Sequence, residues 1–305
     1  MQTLTSGLSY LDLEFLGRRH AIATGVVHGA GSIALVDPGP TTCLETLERT
    51  LQTAGLRMAD VSEILLTHIH LDHAGATGTI VRRYPHVTVV VHERGARHLI
   101  SPERLLESAR RLWGANMDRY WGEVAPVPER NLRIVSGEEE IVAGGRTFDV
   151  AYTPGHASHH VCYFNASSGV AFVGDTAGIS INGGYILPPT PPPDIDLELW
   201  RASVARIERW SPSSLLVTHF GQITQPRPHL ALMLDHLDTT AALARDVLNA
   251  PVTDEERAQR FVDDLRRELR RTMTDAQVDL YEVGAPLHLQ WLGLARYWTK
   301  KSGRS

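Results

Sequence analysis

Four side chains of metal-ligand type fall within six residues of this chain, in the stretch Thr67-His68-Ile69-His70-Leu71-Asp72-His73-Ala74-Gly75. The stretch follows the apolar run Ile64-Leu65-Leu66, which reads as a buried strand, and it leads into small residues that let the chain turn. In strand period His68 and His70 leave the backbone on one side, and Asp72 and His73 follow as the chain turns. That spacing can hold two metal ions side by side. A chance cluster of solvated histidines is the ordinary alternative, and the density of ligand types directly behind an apolar strand argues against it.

Three later segments repeat the arrangement of an apolar run ending in a ligand-type residue beside glycine. They are Thr153-Pro154-Gly155-His156, Val173-Gly174-Asp175-Thr176 and Val217-Thr218-His219-Phe220-Gly221. A strand terminus that opens into a turn is where a rigid scaffold can present a ligand on a loop.

On these residues the sequence resembles the metallo-β-lactamase-fold superfamily, whose signature is His-x-His-x-Asp-His after a strand. The resemblance implies an α/β protein, a four-layer αββα sandwich. Carried over residue by residue, it puts His68, His70 and His156 on one metal and Asp72, His73 and His219 on a second, with Asp175 bridging. Imidazole and carboxylate ligands suit zinc, two ions per chain, and admit iron or manganese because no thiolate forces the choice. The resemblance further implies a hydrolase that uses a metal-bridging hydroxide, with Asp72 able to take up the proton released from water. Asp37, at the end of a strand, resembles the superfamily's carboxylate beneath the metal histidines, where it would orient an imidazole through its far nitrogen. Tyr185 resembles the tyrosine that follows the bridging aspartate in lactonases and could donate to a developing oxyanion, although the gap here is longer.

The ligand at position 175 narrows the class. The superfamily's true β-lactamases have cysteine there or lack a bridging carboxylate, whereas glyoxalase II, lactonases and phosphodiesterases have aspartate. Cleavage of an ester, thioester or lactone is the leading expectation. Phosphodiester or phosphotriester hydrolysis is a close alternative. A mononuclear iron persulfide dioxygenase, which shares the signature but holds one iron with two His and one Asp, is a rival from another class, and a non-catalytic metal-binding scaffold is a second.

Composition bounds the rest. With 305 residues, 43% hydrophobic and 21% charged, the chain can bury a large core. A net charge of −5 gives no basic surface for nucleic acid, so a small-molecule substrate is expected and a nucleic-acid partner is not. No apolar run is long enough for a membrane span, and the first nineteen residues lack a signal-peptide layout, so a cytoplasmic location is expected. The two cysteines, Cys43 and Cys162, show no metal spacing and read as small buried hydrophobes.

Along the chain, strands are expected over 10–15, 20–27 and 32–37, then a helix from 41 that Gly55 stops, the motif strand, a helix that Pro85 ends and a strand over 87–91. A helical insert over about 95–128 carries Trp113, Met117 and Trp121, which could wall a substrate cleft. Strands over 132–142 and 146–152, joined at Gly144-Gly145, deliver His156. His159 and His160 follow, one of them opening the strand over 161–164, and neither is counted as a ligand. A proline-rich loop over 177–196 is expected to rim the site. After a helix over 196–209 and the strand that delivers His219, no further strand pattern returns. Three helices near 228–249, 253–272 and 285–301 complete the chain. The expected division is a catalytic domain over 1–225 and a helical C-terminal region over 226–305, an appendage that leans on the site or mediates homodimer contacts.

Overall fold

The structure is a computed structural model and describes residues 1–29 and 31–303. Its first sheet takes seven strands in chain order: β1 (Gln2–Thr5), β2 (Leu8–Asp12), β3 (Ala23–Gly29), β4 (Ser32–Val36), β5 (Val61–Leu65), β6 (Thr88–His92) and β7 (Leu132–Val135). The first four pair antiparallel and the last three run parallel to β4. The second sheet contains β8 (Glu140–Ala143), β9 (Arg146–Tyr152), β10 (Val161–Asn165), β11 (Val170–Gly174), β12 (Ser214–Val217) and β13 (Gly221–Ile223). Only β11 and β12 are parallel within it.

The two sheets face each other across a core that includes Val27, Val36, Leu65, Phe148, Tyr163 and Phe172. Helices cover the outer face of the first sheet: α1 (Leu44–Thr53), α2 (Leu71–Ala74), α3 (Thr77–Arg83), α4 (Glu93–Ile100), α5 (Glu103–Trp113) and α6 (Met117–Trp121). In α1, Leu44, Leu47 and Leu51 recur on one face and are buried against the sheet. The second sheet is covered by α7 (Leu197–Arg209), whose N-cap Asp196 accepts from the Leu199 N–H at 2.8 Å, together with α8 (Pro226–Leu248), α9 (Asp254–Leu269), α10 (Asp275–Gly284) and α11 (Leu287–Lys301). This is the expected αββα order of layers. A single apolar core runs from β10, β11 and β12 through α7 into the last four helices. Among the described residues no helix is long and apolar enough to cross a membrane.

Several expected elements differ. The strand expected over 132–142 is two strands in different sheets. The Glu139 carboxylate accepts from the backbone N–H of Ser136 (2.7 Å), Gly137 (2.8 Å) and Glu138 (3.0 Å), and this turn carries the chain from β7 across to β8. Gly137 is needed there, since its φ is 93° and a Cβ would meet the Tyr152 nitrogen at 2.3 Å. β13 exists where no strand was expected, returning antiparallel beside β12. The C-terminal region has four helices, because Thr274 and Gln277 form a capping box that starts α10.

Candidate metal centre

Every expected ligand lies just beyond the C-terminal end of a strand. His68 and His70 sit in the irregular segment after β5, and His70 is the N-cap of α2, so Asp72 and His73 project from that short helix. His156 follows β9, Asp175 follows β11 and His219 follows β12. Two glycines allow the approach. A Cβ on Gly155 would meet the Trp200 backbone of α7 at 2.4 Å, and one on Gly174 would meet Thr67 Oγ1 at 2.5 Å. Both glycines have positive φ, 137° and 48°.

The structure brings all seven residues together. His68 Nε2, His70 Nδ1 and His156 Nε2 form a triangle with edges of 2.9, 3.0 and 3.3 Å. The far nitrogens decide which way two of the rings face. His156 Nδ1 lies 2.8 Å from the Pro189 carbonyl, which can only accept, so His156 Nε2 carries a lone pair in the neutral ring. His68 Nδ1 contacts Thr67 Oγ1 at 3.1 Å, and that hydroxyl donates to Asp37, so His68 Nε2 is likewise a lone pair. Two lone pairs this close repel each other unless a cation stands between them.

The second group is equally suited. His73 Nε2 lies 3.7 Å from Asp72 Oδ2 and 3.2 Å from Asp175 Oδ1, and His219 Nε2 lies 3.2 Å and 3.6 Å from the same two oxygens. His73 Nε2, His219 Nε2 and Asp175 Oδ1 are buried without a hydrogen-bond partner. Three orphaned polar atoms facing one another inside a protein are costly unless they share an ion. His219 Nδ1 is fixed by the Ala21 carbonyl at 2.7 Å, which leaves Nε2 to face the group. Asp175 faces both groups, with Oδ1 toward His73 and His219 and Oδ2 3.4 Å from His156 Nε2. The donor set therefore fits divalent metal ions.

Electrostatics agree. Burial, with neighbouring imidazoles, holds His68 well below the ordinary histidine range, and burial and His156 bring His70 down to about 4, so both rings are neutral at pH 7, the form a metal ligand takes. Burial alone would lower His73, but Asp175, Asp72 and Asp37 outweigh it and raise it well above the ordinary value. Burial would raise Asp72, yet His73 and His219 bring it down to about 2. Asp175 and Asp72 raise His219 as well, so without an ion these carboxylates draw protons onto the two imidazoles, the positive charge that a bound cation would supply instead.

Below the cluster, Asp37 stands where the resemblance implies a carboxylate that orients an imidazole, and His160 adds a support that the sequence did not mark. Asp37 Oδ2 accepts from Thr67 Oγ1 (2.7 Å), His73 Nδ1 (2.8 Å) and Thr218 Oγ1 (3.2 Å). His160 is buried, contacts Thr153 Oγ1 at 2.9 Å and Thr176 Oγ1 at 3.2 Å, and accepts from the Asp175 N–H at 3.3 Å. It positions the backbone of Asp175. His159 stacks on His68 and lines the cavity above the site.

His70, Asp72, His156 and Asp175 form the floor of a cavity of about 680 Å³, a size suited to a small molecule. Trp113 and Trp121 line it, as do Pro191, Pro192 and Pro193 of the loop and Ala285, Pro286 and Leu289 from the α10–α11 junction. Two expectations are corrected. Met117 is buried in the core of the first sheet's helices and is not in the cavity wall. Tyr185 is turned away from the cavity: its ring stacks on His236 of α8 at 3.7 Å between centroids, inside the C-terminal core, so its hydroxyl does not reach the site.

Residues 17–219 match the family described as the Metallo-beta-lactamase superfamily. Among curated relatives, the chain is 32% identical over 176 residues to the metallo-beta-lactamase fold-containing protein ST1585 of Sulfurisphaera tokodaii, a match covering 56% of this chain and 66% of that one. It is 28% identical over 201 residues to the hydroxyacylglutathione hydrolase of Maricaulis maris, covering 65% of this chain and 64% of the relative. The chain thus spans slightly under two thirds of the length of these relatives. Among solved structures, the metallo-beta-lactamase family protein TTHA1429 from Thermus thermophilus superposes with a TM-score of 0.73 at 23% identity, covering 99% of this chain and 95% of that one, a likeness of fold.

Proposed function

This chain belongs to the metallo-beta-lactamase superfamily, and on that membership we propose that it is a metal-dependent hydrolase of a small carboxylic ester, thioester or lactone. The observation that carries the reading is Asp175, whose two oxygens face the two histidine groups at once. His68, His70 and His156 would hold one zinc ion, Asp72, His73 and His219 a second, and Asp175 would bridge them. Bound there, the two ions supply a water of lowered pKa and a Lewis acid for the carbonyl oxygen.

The chain's own residues do the rest. His156 is anchored on Pro189 and His219 on Ala21, so their Nε2 atoms keep fixed directions. Asp72 is the more open of the two site carboxylates, at 19% side-chain exposure against 5% for Asp175, and is placed to accept a proton from a nucleophile on the cavity side. The prolines of the loop and Trp113 narrow the cavity and limit water around a bound substrate. A relative named hydroxyacylglutathione hydrolase supports the thioester branch of the reading.

The test is a panel of p-nitrophenyl esters, S-acyl thioesters, lactones and bis-p-nitrophenyl phosphate, run on the protein and on Asp175→Ala. The expected result is highest kcat/KM in the carboxyl class and a loss exceeding about a hundredfold in the variant, beyond the 10- to 100-fold usual for an outer-shell change. Turnover of the phosphodiester alone would transfer the reading to phosphoester hydrolysis. Oxygen uptake with a persulfide and no hydrolysis would replace it.

A further inference from the structure

The cavity has a second polar feature on its insert side. Arg94 and Arg97 lie one turn apart on α4, and Arg104 lies in the first turn of α5; all three line the same cavity as His70 and Asp175. None of the three has an ion-pair partner among the described residues. Arg94 stands over the Tyr152 ring at 5.6 Å, and Arg97 Nε donates to His98 Nε2 at 3.1 Å. Some surface arginines nearby are paired, Arg111 with Glu107 at 2.7 Å and Arg83 with Glu48 at 3.1 Å.

Three unpaired cations converging on one space repel each other, and Arg104 additionally opposes the dipole at the start of α5. Burial and the charges of Arg97 and Arg104 push His98 below the ordinary histidine range, so this imidazole stays neutral and accepts from Arg97. Besides Asp72 and Asp175, two further carboxylates line the cavity. Asp194 is engaged by the Ser158 hydroxyl at 2.5 Å, and Glu93 is exposed. Neither forms an ion pair with the three arginines, whose guanidinium groups remain open to an anion. Guanidinium forks match the paired oxygens of carboxylate and phosphate. Leu105, Leu112 and Trp113 lie beside the arginines and offer an apolar surface.

We propose that Arg94, Arg97 and Arg104 form a subsite for the carboxylate or phosphate of an amphiphilic substrate, whose apolar segment lies along Leu105 and Trp113 while its scissile bond reaches the His/Asp cluster. Calling the ligand a substrate rests on the hydrolase reading; the binding subsite does not. The test is therefore calorimetric binding of 4-phenylbutyrate, 4-phenylbutyl phosphate and neutral 4-phenylbutanol to the protein as purified and to Arg97→Ala/Arg104→Ala. The expected result is that at least one anion binds about tenfold or more tighter than the alcohol, and that the variant loses this ratio. The tighter anion identifies which headgroup the subsite takes. An unchanged ratio in the variant would assign the anion to the metal ligands instead, and equal binding of all three probes would remove the subsite. Either failure is separate from failure of the hydrolysis panel. The alcohol reports on the cavity itself, and the substituted arginines are exposed, so the fold is retained.

Discussion

His73 presents Nδ1 to the Asp37 carboxylate at 2.8 Å, with both side chains sealed from solvent. The contact makes Nδ1 the donor, so in the neutral ring that a metal requires Nε2 is a lone pair facing Asp72 and Asp175. Asp37 also accepts from the Thr67 N–H at 2.8 Å and from the Thr67 and Thr218 hydroxyls, so one carboxylate ties together the ends of β4, β5 and β12. Asp37→Asn should keep the fold and weaken metal binding by about 10- to 100-fold, read by competition with a chelating dye. Asp37→Ala should be far more damaging, because each buried donor left unpaired costs about 1–3 kcal/mol. Undiminished metal affinity in Asp37→Asn would show that this contact does not set the ligand's tautomer.

Glu139 makes a pH-dependent contribution. Burial tends to raise its carboxyl, but hydrogen bonds from Ser136, Gly137 and Glu138 outweigh that and hold it at about 2. The unfolded value is about 4.3. Because the folded pKa is the lower one, the stabilisation is complete above the unfolded pKa and fades as pH falls toward 2. Glu139→Gln should cost about 1 kcal/mol at pH 7, a figure kept small because the group is partly exposed, and should approach wild type near pH 2. Urea unfolding at pH 7 and at the lowest pH where the protein stays folded measures this; a difference independent of pH would refute it.

Tyr185→Phe should leave kcat/KM within about twofold and stability unchanged or slightly raised, since the phenol is buried in the C-terminal core without a hydrogen-bond partner. Burial also pushes this hydroxyl above its ordinary range, so it stays protonated. A hundredfold fall in kcat with unchanged KM would place the hydroxyl at the reacting atoms after all.

The clustering of the seven residues was legible because each is tied to a local pattern: an apolar run ending in a ligand-type residue close to a glycine. Such a pattern needs no knowledge of which strands pair. The passage from β7 to β8 was not legible, because period-2 alternation describes a strand without saying which sheet it joins, and the Glu139 turn that separates the two is a side-chain effect. Thr274 and Gln277 did spell a capping box, but the ten residues after them have no pronounced apolar stripe. Tyr185 misled because proximity in sequence to Asp175 says nothing about which face of the loop it leaves. Nothing in the one-dimensional pattern singles out Arg94, Arg97 and Arg104, and only packing of the insert over the sheet brings them to the cavity.

The proposed function requires Asp175 to join two metal positions. Its most direct test is elemental analysis of protein purified without added metal, alongside Asp175→Ala. The expected result is about two metal ions per chain, predominantly zinc, falling to about one or fewer in the variant as the bridge is lost. A single iron per chain in the protein as purified would contradict it and would demote Asp72, His73 and His219 from ligands to neighbours.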